Sequence, residues 1–162
     1  MDFLVSLEQS RFSVWVRESG SLLAFPTILL LHTYGMAVLV GIVAVIDLRI
    51  LGFAPALPLA PLEKFLPMLW VAFWINAVTG TILLVADATT KVTNLDFLVK
   101  MVFVALGVSV QRMIERRVFR KTSGRPVPAN ARMLAVASLI CWLGAITAGR
   151  LLAYVGPVSG LE

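Results

Sequence analysis

The chain has one cysteine and one histidine among its 162 residues. A single cysteine, Cys141, excludes an intrachain disulfide and a cysteine-built metal site, and a lone histidine beside it excludes a Cys/His zinc site. Charge is scarce as well: Asp, Glu, Lys and Arg make up 14% of the residues, against about 25% in soluble domains. There is no phosphate-binding glycine loop, no His-Glu-x-x-His pair and no nucleophile elbow, so the familiar catalytic constellations of soluble enzymes are missing. Alternation of apolar and polar residues with a period of two is also absent, and an open sheet could not satisfy its edges in lipid.

What is abundant is apolar side chain. Apolar residues reach 59% and mean hydropathy is +0.92, more than a soluble domain of this length can bury. The solvent is therefore lipid. Four apolar stretches, Leu22–Ile46, Phe65–Ala86, Leu95–Ile114 and Met133–Val155, each hold the roughly 20 residues that a helix needs to cross about 30 Å of hydrocarbon. The expected fold is all-α: an integral membrane four-helix bundle, one transmembrane domain over residues 1–162. A cleavable signal peptide fits poorly, because acids and bases are scattered through the first 20 residues and the first apolar run is too long for a signal core.

Orientation follows from the basic residues. The connection after the third span carries Arg112, Arg116, Arg117, Arg120, Lys121, Arg125 and Arg132, half of the 14 basic residues, and Arg49 and Lys64 fall on the same side. These segments sum to +6 (9 basic, 3 acidic) and the remainder to −1 (5 basic, 6 acidic). A positive connection stays cytoplasmic, which places both termini outside, in the periplasm if the membrane is a bacterial inner membrane. In this setting the net charge of +5 marks loops, and nucleic acid is not an expected partner.

Residues 1–20 space Phe3, Leu4, Leu7, Val14 and Trp15 among charges, as an amphipathic helix in the outer interface does. Pro55, Pro58 and Pro61 stand at every third position and favour an extended left-handed connection, and Asn130 is read as a cap for the fourth span.

A shift of 68 residues lays Trp74-Ile75-Asn76-Ala77-Val78-Thr79-Gly80 over Trp142-Leu143-Gly144-Ala145-Ile146-Thr147-Ala148, and Ile46-Asp47-Leu48-Arg49 over Ile114-Glu115-Arg116-Arg117. This reads as an internal repeat of two tandem helical hairpins, about 22–90 and 91–158, related by an axis along the membrane normal. His32 then corresponds to Lys100.

Ionisable groups within lipid cost several kcal/mol and call for an explanation. His32, Asp87, Lys100 and Arg150 all fall in the outer half of this topology. Asn76, Gly80, Leu83 and Asp87 share one face of the second helix; Lys100, Val104, Gly107 and Gln111 one face of the third; Thr147, Arg150 and Tyr154 one face of the fourth. Asp47 and Arg49, with Glu115 and Arg117 of the other half, read as structural ion pairs at the cytoplasmic ends. Asp87, Lys100 and Arg150 have a bland reading too, mutual pairing or snorkelling.

His32 has three readings: a packing residue bonded to Thr33, Tyr34 or Asn76; an iron ligand of haem b, whose propionates would meet Lys100 and Arg150; or a partner, with Asn76, of a quinone headgroup. One histidine supplies one axial ligand, and the second would come from Lys100, a symmetry-related His32 or nothing, since Met36 lies on the same helix face.

The run His32-Thr33-Tyr34-Gly35, then Gly41, then Asp47-Leu48-Arg49-Ile50-Leu51-Gly52, and the ending Gly149-Arg150-Leu151-Leu152-Ala153-Tyr154 resemble a family of short bacterial inner-membrane proteins that carry a domain of unknown function. The resemblance spans most of the chain and implies a four-helix bacterial membrane protein. It brings no activity with it. The leading expectation is a redox-associated component that binds haem b or quinone through His32, Asn76, Lys100 and Arg150. The alternatives are a small oligomeric transporter or channel, and a non-catalytic anchor for a membrane or periplasmic redox subunit.

Overall fold

A computed structural model describes residues 2–119 and 129–152, and these are mostly helical with no strand. Two short helices, α1 (Asp2–Glu8) and α2 (Arg11–Glu18), precede α3 (Phe25–Leu51). A 3-10 turn over Ala60–Phe65 leads into α4 (Leu66–Ala86), followed by the short α5 (Ala88–Val92). The helix α6 (Leu95–Ile114) ends in a π turn at Glu115–Phe119, and α7 (Ala129–Leu151) completes the described chain. Four of these helices, α3, α4, α6 and α7, are long and apolar enough to cross a membrane. The chain is an all-α protein compatible with a four-helix membrane bundle.

Local chemistry sets the element ends. Pro26 and Pro67 stand in the first turns of α3 and α4, where a missing N–H costs nothing and the fixed φ suits the helix. The helix α3 runs on to Leu51, five residues past the apolar run, and stops at Gly52, whose φ of 105° is left-handed. The proline-bearing connection is compact rather than extended. Arg49 draws it back by donating to the carbonyls of Pro55 and Leu57, and Ala60–Phe65 coils into the 3-10 turn. Asn94 caps α6 by accepting from the Asp96 amide at 2.8 Å. Asn130 lies inside the first turn of α7 rather than before it.

The closest helix pairings are α3 with α4 and α6 with α7, and α3 also packs on α7. Under a true two-fold axis the α3–α7 contact would have a counterpart between α6 and α4, but those two helices do not pack along their lengths. Their link is made by side chains at the Arg-rich end. There Trp70 of α4 donates its indole N–H to Glu115 at 3.2 Å, while the Arg112 guanidinium lies 3.9 Å above the same ring.

Two apolar clusters fill the interior. One, at the Arg-rich end, unites Ile46, Ile50, Leu62, Leu66, Ile114 and Ala135 with their neighbours. The other, nearer the middle, unites Leu39, Val43, Leu69, Ala72 and Trp142. The N-terminal segment is two helices instead of one, broken at Gln9-Ser10 where Ser10 caps α2. Ser13 and Val16 are buried, and α1 and α2 pack on α4 and α5. Phe3, Phe12, Trp15, Leu22 and Leu23 remain exposed, the apolar face that an interfacial helix turns to lipid.

Candidate functional site

The site is built where α3 crosses α4. Gly35 lets the backbones approach: a Cβ there would stand 3.2 Å from both the Ala72 carbonyl oxygen and the Asn76 nitrogen. One turn earlier, His32 packs against Gly80, whose missing Cβ would stand 2.9 Å from the ring's Cε1. Asn76 Nδ2 donates to the His32 carbonyl at 2.7 Å. His32 Nδ1 stands 3.0 Å from the Asn76 carbonyl oxygen and 3.1 Å from Thr79 Oγ1.

These partners fix the tautomer. A carbonyl oxygen only accepts, so Nδ1 must carry the hydrogen. Thr79 spends its own hydrogen on the Ile75 and Asn76 carbonyls, at 2.7 and 3.2 Å, and so receives from Nδ1 as a second acceptor. In the neutral ring Nε2 is left with its lone pair and no hydrogen-bond partner among the described residues. Orientation of one ring nitrogen by a backbone carbonyl, with the other free, is the arrangement that ligand-binding histidines use.

The ammonium groups within electrostatic reach of the ring are those of Lys100 and Lys91. Lys100, on α6, lays its stem along α7, with Cε 3.4 Å from where a Gly149 Cβ would be. Lys91 pairs with Asp87 at 3.6 Å and donates to the Leu83 carbonyl at 3.1 Å. The sequence reading missed Lys91, although its place four residues after Asp87 is the usual spacing of a helical ion pair.

Of the expected site residues, His32 and Asn76 are brought into direct contact, and Lys100 is near them. Arg150 is exposed on α7, as is Thr147, whereas Trp142, Ala145 and Ala148 form the buried face. Tyr154 lies outside the described residues. Thr147 and Arg150 thus turn away from the packed face of α7, where small alanines let it approach α6 and α3.

Of the carboxylates expected in ion pairs, Asp47 is not hydrogen-bonded to a basic residue among the described residues. Asp47 is fully buried and neither of its oxygens has a hydrogen-bond partner among the described residues. Arg49, two residues on, points into the connection instead. Glu115 accepts from Trp70, and Asp87 meets Lys91. The physical reason is the longer α3: with the helix continuing to Leu51, Asp47 falls one turn inside it and on its packed face.

Comparison with known proteins finds no family model that matches the chain, and neither a curated protein nor a solved structure similar to it. Among the described residues, no three His, Cys, Asp or Glu side chains gather as a metal cluster.

Proposed function

We propose that the chain is a redox-associated membrane protein that binds the headgroup of a lipid-soluble quinol or quinone at His32. The observation that carries this reading is the doubly anchored imidazole. Its Nδ1–H is committed to Asn76 and Thr79, so Nε2 is an acceptor ready for a quinol hydroxyl. The positive charge of Lys100 and Lys91 nearby favours electron-rich oxygens on the same headgroup. An isoprenoid tail would follow the flank where α4 and α6 do not pack. A quinone headgroup needs only the one histidine, which would give haem b a single axial ligand. The setting proposed is a bacterial inner membrane, with the Arg-rich connection cytoplasmic, both termini periplasmic and the His32 site in the outer half.

The test is titration of detergent-solubilised protein with a short-chain quinol, read by calorimetry, together with absorption spectra of the oxidised and reduced protein. Saturable binding that weakens at least about tenfold in His32→Ala, a loss of about 1.4 kcal/mol, supports the proposal. Lys100→Met should weaken it less. Equal affinity in His32→Ala, or no saturable binding, would overturn it, and a Soret band lost in His32→Ala would reassign the histidine to haem.

A further inference from the structure

Between the two apolar clusters lies a polar layer that the His32 site does not use. On α3 it is Asp47, set between Val43 and Ile50; on α7 it is Ser138, set between Ala135 and Trp142; on α6 it is Gln111, set between Gly107 and Ile114. The three side chains are 0%, 0% and 1% exposed. Gly107 rests against the Trp142 indole, with a Cβ there 3.1 Å from the ring. One turn further along the antiparallel pair, Gln111 therefore comes level with Ser138. The Ser138 hydroxyl in turn faces the Asp47 carboxyl, too loosely placed for a well-made hydrogen bond.

Every polar atom of this layer lacks a partner among the described residues: both Asp47 oxygens, both amide atoms of Gln111, the Ser138 hydroxyl and, at its edge, the Trp142 indole N–H. Each buried unpartnered group costs about 1–3 kcal/mol, and an ionised carboxylate far more. Three helices would not each place such a group at one level unless something there binds to them.

We propose that Asp47, Gln111 and Ser138 form a proton-binding site inside the bundle, in which the Asp47 carboxyl carries an exchangeable proton and ordered water joins it to Gln111, Ser138 and Trp142. One carboxyl calls for one positive charge, and the proton is the occupant the donor set fits. Gln111 Nε2 and the Trp142 indole present N–H groups, which a metal ion cannot use, while Gln111 Oε1 and the Ser138 hydroxyl accept, and such a mixture of donors and acceptors suits water and a carboxylic acid. No charged group among the described residues is hydrogen-bonded to the carboxyl. On the elements packed around it, Arg49 is held by the connection, Arg112 and Glu115 are engaged at Trp70, and Arg116, Arg117 and Arg132 are exposed. Cys141, one turn from Ser138, is the other titratable group on α7 near this level. The site lies about one turn from the end of α3, on the Arg-rich side.

Infrared spectroscopy of the full chain in lipid tests this. At neutral pH the wild type should show a carboxylic acid C=O band that moves to lower frequency in D2O. The band should be lost in Asp47→Asn, kept in Asp87→Asn, and shifted in frequency in Gln111→Leu and Ser138→Ala. The wild-type band and its D2O shift stand even if a variant fails to fold. A wild type with carboxylate bands alone would overturn the proposal. So would a band that survives Asp47→Asn, one insensitive to D2O or to both neighbouring variants, or one seen only after sodium and potassium are replaced by choline, which would make the occupant a metal cation.

Discussion

Gly35 and Asn76 share one crossing point, where a Cβ on the glycine would sit 3.2 Å from the asparagine's backbone nitrogen. A shift of 68 residues maps Gly35 onto Phe103 and Asn76 onto Gly144, and these two are also in contact: a Cβ at Gly144 would come within 2.8 Å of the Phe103 ring. Both hairpins thus cross at equivalent positions, with the small residue moved from the first helix to the second.

The two crossings should respond differently to the same change. At Gly35 the obstacle is backbone, which cannot turn aside, so Gly35→Ala should cost about 1–3 kcal/mol through overpacking. At Gly144 the obstacle is a phenyl ring on one rotatable stem, and Gly144→Ala should cost less. Unfolding of the two variants in mild detergent, followed by helicity, measures the difference. A Gly144→Ala variant less stable than Gly35→Ala would show that the ring is as rigid as the chain.

The clasp between His32 and Asn76 predicts a separation of stability from ring placement. Asn76→Ala removes one interhelical donor and should cost about 1 kcal/mol, in the range of membrane-buried hydrogen bonds. Gly80→Ala leaves every hydrogen-bonding group in place but puts a methyl 2.9 Å from the imidazole Cε1. It should displace the ring while the helices stay packed. Nitrogen NMR of the labelled histidine reads this directly, as loss of the single Nδ1–H tautomer signal in Gly80→Ala at wild-type helix content.

The four spans were legible because lipid demands long apolar runs, and the second and third runs end within a residue of the helices α4 and α6. The interior was not. A helix that is apolar all round has little contrast between faces, so Asp47 read as the end of a span rather than its packed side. The spacing Leu39, Val43, Ile46, Ile50 of the buried residues was the available signal, and Asp47 falls within that stripe. The inward turn of Gly107 and Gln111 could be drawn from helical spacing, yet the same rule applied to Thr147 and Arg150 pointed outward residues inward. Small residues, Ala145 and Ala148, marked the packed face of α7 better than polar ones did.

Trp70 joins α4 to α6 through two bonds of different kind, and they can be removed one at a time. Trp70→Phe keeps an aromatic face beneath Arg112 but deletes the N–H that reaches Glu115 at 3.2 Å. Arg112→Gln does the reverse. Each should cost about 0.5–1 kcal/mol at this partly exposed position. The double variant should cost less than the sum if ring and guanidinium fix each other's geometry. Thermal unfolding of the four proteins gives the coupling, and strict additivity would show two independent contacts.

The docking of the N-terminal helices should depend on pH through Glu8. Its carboxylate accepts from the Thr89 hydroxyl at 2.6 Å and the Thr89 amide at 3.1 Å, and it pairs with Arg17 at 2.9 Å. The bonds from Thr89, followed by the charge of Arg17, hold its pKa below the ordinary carboxylate value. A carboxyl depressed in the folded state stabilises fully above its unfolded pKa, about 4.3, and that contribution fades as pH falls through the lower, folded value. Docking should therefore be constant at neutral pH and loosen only in acid, below pH 4 or so by the same reference value. The measurement is hydrogen exchange at the Thr89 amide, corrected for the intrinsic rate. Protection should drop in acid for the wild type and already be reduced at neutral pH in Glu8→Gln, with the spans unaffected in both. If Thr89 in Glu8→Gln stays as protected as in the wild type, the arm is held by Ser13 and Val16 packing instead, and the charge is incidental.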